Sequence, residues 1–289
     1  MNGCRVLITG ASGFTGQYVI SALKKGGFVP CSLKANLCDE EAVKAEVVDL
    51  KPNAAIHLAG IAYVGHGNPA DFYRVNLIGT LQLLQALESV GTVNGPIVLA
   101  SSANIYGNSY QEEAIKESFQ PRPINDYATS KLAMEEMAAL WRNRLPITIV
   151  RPFNYTGVGQ SEAFVVPKIV DAFRQRKYEL SLGNIDVWRD FSDVRDVARW
   201  YTEIIKRNII GQTLNFCSGR LISIYELICL CEDICKFTLK VVTKRNLQRE
   251  NELIKLCGDR TRLQDLLGDT GEAQYTIRDT LKWMLINKQ

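Results

Sequence analysis

The chain has 289 residues, 46% of them hydrophobic and 22% charged, and a formal net charge of +3 from 34 Lys and Arg against 31 Asp and Glu. That length and balance fit one large α/β domain carrying a smaller lobe and exclude disordered, collagen-like and coiled-coil chains. A charge so small and dispersed argues against a nucleic-acid groove. No run reaches the roughly 18 apolar residues of a membrane span and no signal-like segment opens the chain, so a cytoplasmic protein without nucleic-acid or membrane partners is expected.

In chain order, apolar strand-like runs at 5–9, 54–59 and 97–101 alternate with amphipathic helical stretches at 16–25 and 71–90. That rhythm predicts parallel strands joined by helical crossovers, an α/β fold of the Rossmann-type doubly wound kind. A second strand lies within 28–33, a long helix follows Asp126, and a strand at 147–150 continues the same sheet. Beyond Arg151 the pattern loosens into a helix at 166–176, a run at 180–188, a segment at 229–247 and an amphipathic helix at 276–285. The division expected is a Rossmann domain over 1–155 plus about 190–217, and a smaller C-terminal α/β substrate lobe over about 156–189 and 218–289. Ligands of such sheets lie at the carboxyl ends of the strands.

The run RVLITGASGFTGQYV sets Gly10, Gly13 and Gly16 between a strand and a helix. Glycine lets the backbone turn tightly and approach a pyrophosphate, and the helix N-terminus supplies N–H donors, so a dinucleotide is expected. An acid at the end of the second strand would accept the ribose hydroxyls of NAD. The strand at 28–33 ends without one and Lys34 follows, which favours NADPH; NADH stays open because Asp39 is close by.

Tyr127 and Lys131 in DYATSK are four apart and share one helix face. An ammonium beside a phenol is expected to lower its pKa, letting tyrosine exchange a proton with a carbonyl or hydroxyl. Upstream, VLASSANIYG places Ser101 and Ser102 at the end of a strand, where a serine can donate a hydrogen bond to a substrate oxygen. Eight cysteines sit mostly at apolar positions; Cys229, Cys231 and Cys235 lie on a helical face without histidines nearby, so reduced thiols and no metal are expected.

Together the glycine pattern, SSANIYG and YATSK resemble the extended short-chain dehydrogenase/reductase family, also called the NAD-dependent epimerase/dehydratase superfamily. The resemblance implies that Tyr127 is the acid/base, that Lys131 orients the nicotinamide ribose, and that Ser102 holds the substrate oxygen. It implies a cofactor seat of Gly10, Ser12, Gly13, Phe14, Thr15, Gly16, Lys34, Leu37, Leu58, Ala59, Gly60, Asn76, Ser101 and Pro152, with Tyr127 and Lys131. It also implies a homodimer joined through a four-helix bundle made by 71–90 and the helix carrying Tyr127.

RPFNYTGVGQ, FVVPKIV and WRDFSDVRDV resemble one branch, the GDP-4-keto-6-deoxy-D-mannose reductases and relatives acting on other 4-keto-6-deoxy sugar nucleotides. Matching positions imply that Asn154, Val165, Lys168, Arg189 and Arg249 contact a nucleotide-sugar substrate, with Ser102 and Asn104 at its sugar. The similar dehydratases have Glu where Asn104 stands, and Asn cannot relay a proton. The GDP-fucose-forming enzymes have Cys where Ala103 stands and use a distant His; His57 is expected beside the cofactor and His66 in a loop. Three readings remain: reduction of a C4 ketone by NAD(P)H on a GDP- or dTDP-linked sugar, 4-epimerisation with tightly held NAD, and a non-catalytic cofactor-binding regulator.

Overall fold

The computed structural model describes residues 3–63, 67–108, 113–247 and 253–287. Its first half alternates β1 (Arg5–Thr9), α1 (Phe14–Lys25), β2 (Val29–Ser32), α2 (Glu40–Leu50), β3 (Ala54–His57), α3 (Pro69–Phe72), α4 (Gly79–Val90), β4 (Ile97–Ala100), α5 (Asp126–Ala139) and β5 (Ile147–Pro152). The rest supplies β6 (Asn154–Thr156), α6 (Val165–Arg174), β7 (Glu179–Leu182), β8 (Trp188–Asp193), α7 (Val194–Lys206), β9 (Thr213–Phe216) and β10 (Leu221–Ser223). It ends with α8 (Ile224–Cys235), β11 (Lys240–Thr243), β12 (Lys255–Leu256), α9 (Thr261–Leu267) and α10 (Ile277–Ile286).

Six strands pair in the order β2-β1-β3-β4-β5-β9, every pair parallel. Alternation along β1 sorts the core onto two faces. Val6 and Ile8 pack with Val19, Leu23, Trp200 and Tyr201 of α1 and α7. Leu7 points the other way, toward Leu83, Leu84 and Leu87 of α4 and Met134 of α5. A sheet buried on both sides is the doubly wound arrangement, and its short apolar strands follow from that burial.

A second sheet, β10-β8-β12 with β6 also on β8, and the pair β7 and β11 lie in the later part. There Val166, Ile169 and Phe173 of α6 meet Leu227 and Cys231 of α8 and Leu281 and Met284 of α10. Capping boxes, Ser223 with Glu226 and Thr276 with Asp279, start α8 and α10. All eight cysteines are free thiols.

Four elements differ from the sequence expectation. The helix over 71–90 is not uniform: α3 passes through a π-helical stretch, Tyr73–Ile78, into α4. The wider turn carries Asn76 into the interior, where it is fully buried and bonded, and such bulges gather at functional sites. The run at 180–188 is split between β7 and β8. Neither α2 nor α7 follows from the sequence reading; α7 is strongly amphipathic, but its start falls within WRDFSDVRDV, which carries the family resemblance.

Strand order reverses between β1 and β3, so the loops after these strands leave on opposite faces and open a crevice. The two backbones almost touch there. Gly10 has φ +68°, and a Cβ on it would lie 2.8 Å from the Ala59 nitrogen; a Cβ on Gly16 would lie 2.3 Å from the Gly10 carbonyl oxygen. Gly16→Ala is therefore expected to force the loop apart and lower stability by roughly 1–3 kcal/mol, read from urea unfolding; an unchanged midpoint would show that the loop yields freely.

Candidate active site

β4 delivers its chain to the sheet's carboxyl edge, and Ser101 and Ser102 follow directly. The Ser102 hydroxyl accepts the Asn104 N–H at 3.2 Å and caps a short 3-10 turn, Ala103–Tyr106. Opposite, the Asn125 side chain caps α5 by accepting the Ala128 N–H at 2.9 Å, which places Tyr127 in the first turn and Lys131 one turn on. Ser102, Tyr127 and Lys131 are 7%, 7% and 6% exposed. The Tyr127 phenol is hydrogen-bonded to Ser102, and Lys131 Nζ donates to the Ala100 carbonyl at 2.8 Å.

The electrostatics correct one expectation. Lys131 was expected to pull the phenol pKa down, but burial dominates and pushes Tyr127 up to about 12, against a smaller lowering by Ser102. Burial also pulls Lys131 down to about 8, with the Glu135 carboxylate working the other way. At neutral pH the centre therefore holds a protonated phenol beside a charged ammonium, a pairing suited to giving a proton rather than taking one.

The crevice fits a dinucleotide. Gly13 starts α1 without a side-chain cap, leaving first-turn N–H groups for an anion, and Ser12 and Gly13 are exposed at the rim. Phe14 and Thr15 offer backbone only, because the Phe14 ring stacks on Tyr155 and the Thr15 hydroxyl lies 2.8 Å from the Tyr155 hydroxyl. Facing them, Leu58, Ala59 and Gly60 follow β3, and a Cβ on Gly60 would lie 2.7 Å from Asn76 Oδ1 and 3.3 Å from Lys131 Nζ. Asn76 Oδ1 accepts the Ile61 N–H at 2.9 Å while its amide donates to Ser130 Oγ at 3.1 Å, tying this loop to α5. Leu37 is buried in the core beside Gly79, Pro152 ends β5, and Ser101 Oγ is buried with no hydrogen-bond partner among the described residues, a polar group that a ligand would satisfy.

His57 stands behind this seat and is structural. Thr80 donates to the Asn76 carbonyl at 2.7 Å and so receives Nε2–H at 2.9 Å; Thr9 receives the Ala59 N–H at 3.0 Å and donates to Nδ1 at 2.7 Å. Every donor is matched, and burial holds the ring neutral with a pKa near 3.

At the end of β2 the structure supplies what the sequence lacked. Lys34 is exposed there, but Glu46 reaches back from α2 and accepts the Lys34 N–H at 3.0 and 3.1 Å and the Ala35 N–H at 2.7 Å. An acid lying 12 residues beyond Lys34 carries no local signal, so only the fold reveals it.

The residues assigned to the substrate are less convergent. Asn154 is exposed on β6 in register with Phe191, and Val165 begins α6 half-buried. Lys168 Nζ donates to the Ser181 carbonyl at 3.1 Å, and Arg189 Nη1 to the carbonyls of Trp188 at 2.9 Å and Ile254 at 3.3 Å. Asn104 is half-buried beside Ser102. Arg249 and His66 lie outside the described residues.

A profile of the NAD dependent epimerase/dehydratase family matches residues 6–217. The chain is 32% identical over 292 residues, 98% of each protein, to GDP-6-deoxy-D-talose 4-dehydrogenase of Aggregatibacter actinomycetemcomitans. It is 34% identical over 295 residues, 97% of this chain and 96% of the relative, to GDP-6-deoxy-D-mannose reductase of Pseudomonas aeruginosa. The structure of RMD from Pseudomonas aeruginosa complexed with NADPH superposes with a TM-score of 0.88 and 33% identity, covering 98% of this chain and 97% of that one.

Removing the charge at the end of β2 separates the two cofactors. Glu46→Gln is expected to lower the Kd for NADPH, whose extra phosphate the carboxylate repels, by about fivefold or more while moving that for NADH little. Nicotinamide fluorescence titration reads both, and equal changes would place the carboxylate outside the reach of the ribose.

Proposed function

Because the chain belongs to the NAD-dependent epimerase/dehydratase family, we propose that this NAD(P)-dependent oxidoreductase reduces the C4 ketone of a nucleotide-linked 4-keto-6-deoxyhexose. The observation that carries the reading is the buried Ser102, Tyr127 and Lys131 set, its phenol hydrogen-bonded to Ser102, at the mouth of a crevice that fits a dinucleotide.

GDP is the favoured nucleotide. The two named relatives act on sugars that differ only in configuration at C4, so oxidation at C4 turns both into the same ketone, GDP-4-keto-6-deoxy-D-mannose. That shared ketone is the substrate we assign; a dTDP-linked ketone is the next choice. Asn154, Val165, Lys168, Arg189 and Arg249 are the residues we assign to the nucleotide diphosphate, with Asn104 beside the sugar. The lobe at about 156–189 and 218–289 would carry that half and the domain at 1–155 plus about 190–217 the cofactor. We further place the enzyme in the cytoplasm, in deoxysugar biosynthesis, as a homodimer built on α4 and α5.

Bound NAD(P)H supplies the hydride that reaches C4. The protein's own residues do the rest. Ser102 donates a hydrogen bond to the ketone oxygen, which fixes its distance from Tyr127. As C4 is reduced the carbonyl π pair moves onto oxygen, and the Tyr127 phenol gives that oxygen its proton, forming the alcohol and leaving a phenolate. Lys131, still charged below a pH of about 8, stabilises that phenolate until solvent restores its proton.

Two measurements test the reading. Loss of nicotinamide absorbance is expected with GDP-4-keto-6-deoxymannose generated in place by its dehydratase, and proton NMR of the product names the C4 configuration. Silence with both the GDP and dTDP ketones, with NAD retained through purification, would identify a 4-epimerase instead. Tyr127→Phe is expected to lower kcat by about a hundredfold or more with the cofactor Kd unchanged, and persistent turnover would remove Tyr127 from the chemistry.

A further inference from the structure

The face of α5 that carries Tyr127 and Lys131 continues one turn further to Glu135. Glu135 is 5% exposed, and its carboxylate is held by Arg151 of β5. Nε donates to it at 3.0 and 3.2 Å and Nη2 at 2.7 Å, a planar two-nitrogen pairing that fixes orientation as well as distance. Arg151 Nη1 donates to two further acceptors, the Tyr106 hydroxyl at 2.8 Å and the Glu117 carbonyl at 2.9 Å. Tyr106 donates in turn to Asn215 Oδ1 at 2.8 Å, and Asn215 bonds back to Glu117 Oε1 at 2.7 Å and the Ile115 carbonyl at 2.8 Å.

The two ends of this network are the two halves of the reaction centre. One is the helix bearing Tyr127 and Lys131. The other is the 3-10 turn that Ser102 caps and Tyr106 closes. Apolar residues of equal volume would join a helix to a strand as firmly, because a buried ion pair loses much of its attraction to desolvation. Retaining charge here makes sense if the charge is used.

Building on the assignment of Tyr127 and Lys131 as the centre, we propose that Arg151 and Glu135 are its positioning residues. They clamp the helix carrying Tyr127 and Lys131 to the turn carrying Ser102, and they set a buried carboxylate one turn beyond Lys131. The groups facing Lys131 leave that carboxylate a clear role. Its own helix presents Tyr127 and Glu135, β3 presents His57, which is neutral, β4 presents the Ala100 carbonyl, and the loops present Gly60 and Asn76. Arg151, from β5, stands on the far side of Glu135. Of these groups Glu135 is the one whose charge opposes the lowering that burial imposes on Lys131.

The first arm of the test needs no sugar. In the full-length protein NADPH affinity, read from nicotinamide fluorescence, is expected to weaken as pH rises past about 8, where Lys131 loses its proton. In Glu135→Gln that weakening should move down by about one pH unit. Should Glu135→Gln not fold, the paired apolar replacement Glu135→Leu with Arg151→Met keeps the volume and removes both charges. It should show the same direction of shift, with kcat at neutral pH reduced about tenfold or more and KM little changed. A midpoint unmoved in either folded variant, or wild-type kcat in the double variant, would overturn the proposal. Turnover surviving in Tyr127→Phe would instead overturn the assignment on which it rests.

Discussion

An ammonium that must stay charged out of water is the constraint around which this site is built. Lys131 is almost fully enclosed, and burial pulls its pKa down to about 8. The Ala100 carbonyl takes one of its donors, Glu135 supplies opposite charge one helical turn away, and Arg151 keeps that carboxylate from being an isolated anion in turn. Each compensation recruits a different element: β4, α5 and β5. The sheet and the catalytic helix are thereby held in one relative position, and Tyr127 and Ser102 inherit it.

The other half of the site follows from strand order. Because the sheet reverses direction of growth between β1 and β3, two loops diverge there, and the cofactor crevice is the space between them. Gly10 and Gly16 let the first loop fold onto α1 and against Ala59; Asn76, carried inward by a π-helical turn, holds the second loop to α5. The crevice and the Lys131 side chain meet at Gly60, where a Cβ would lie 2.7 Å from Asn76 Oδ1 and 3.3 Å from Lys131 Nζ. A protonated phenol at that junction can give its proton to an oxyanion, the part that the proposed reduction asks of it.

Much of this was legible in the chain. The glycine spacing and the alternation of apolar runs specify the Rossmann half, because burial on both faces leaves strands a short apolar signature. Spacing and order single out Tyr127 with Lys131, and Ser101 with Ser102 at a strand end, and the structure joins Tyr127 to Ser102 by a hydrogen bond. What escaped were contacts between distant segments. Glu46 reaches the end of β2 from the next helix, Tyr155 covers Phe14 and Thr15 from another sheet, and Arg151 looked like one residue of a motif rather than the hub of five hydrogen bonds. The sign of the Tyr127 shift was also missed, since spacing reveals the neighbouring lysine but not the burial that outweighs it. The smaller lobe was least legible, because short strands such as β6, β10 and β12 carry too few residues to show a period.

The central claim is that hydride passes from a freely exchanging cofactor to C4 of the sugar. Turnover with NADPH deuterated at the transferring position of its nicotinamide ring, followed by NMR of the product, tests it most directly. The account predicts deuterium at C4 of the 6-deoxyhexose in every product molecule. No labelled alcohol from the ketone, with the label left in the cofactor, would contradict it; C4 epimerisation of an added GDP-6-deoxyhexose with its own C4 hydrogen retained would show instead that the sugar's hydride is removed and returned.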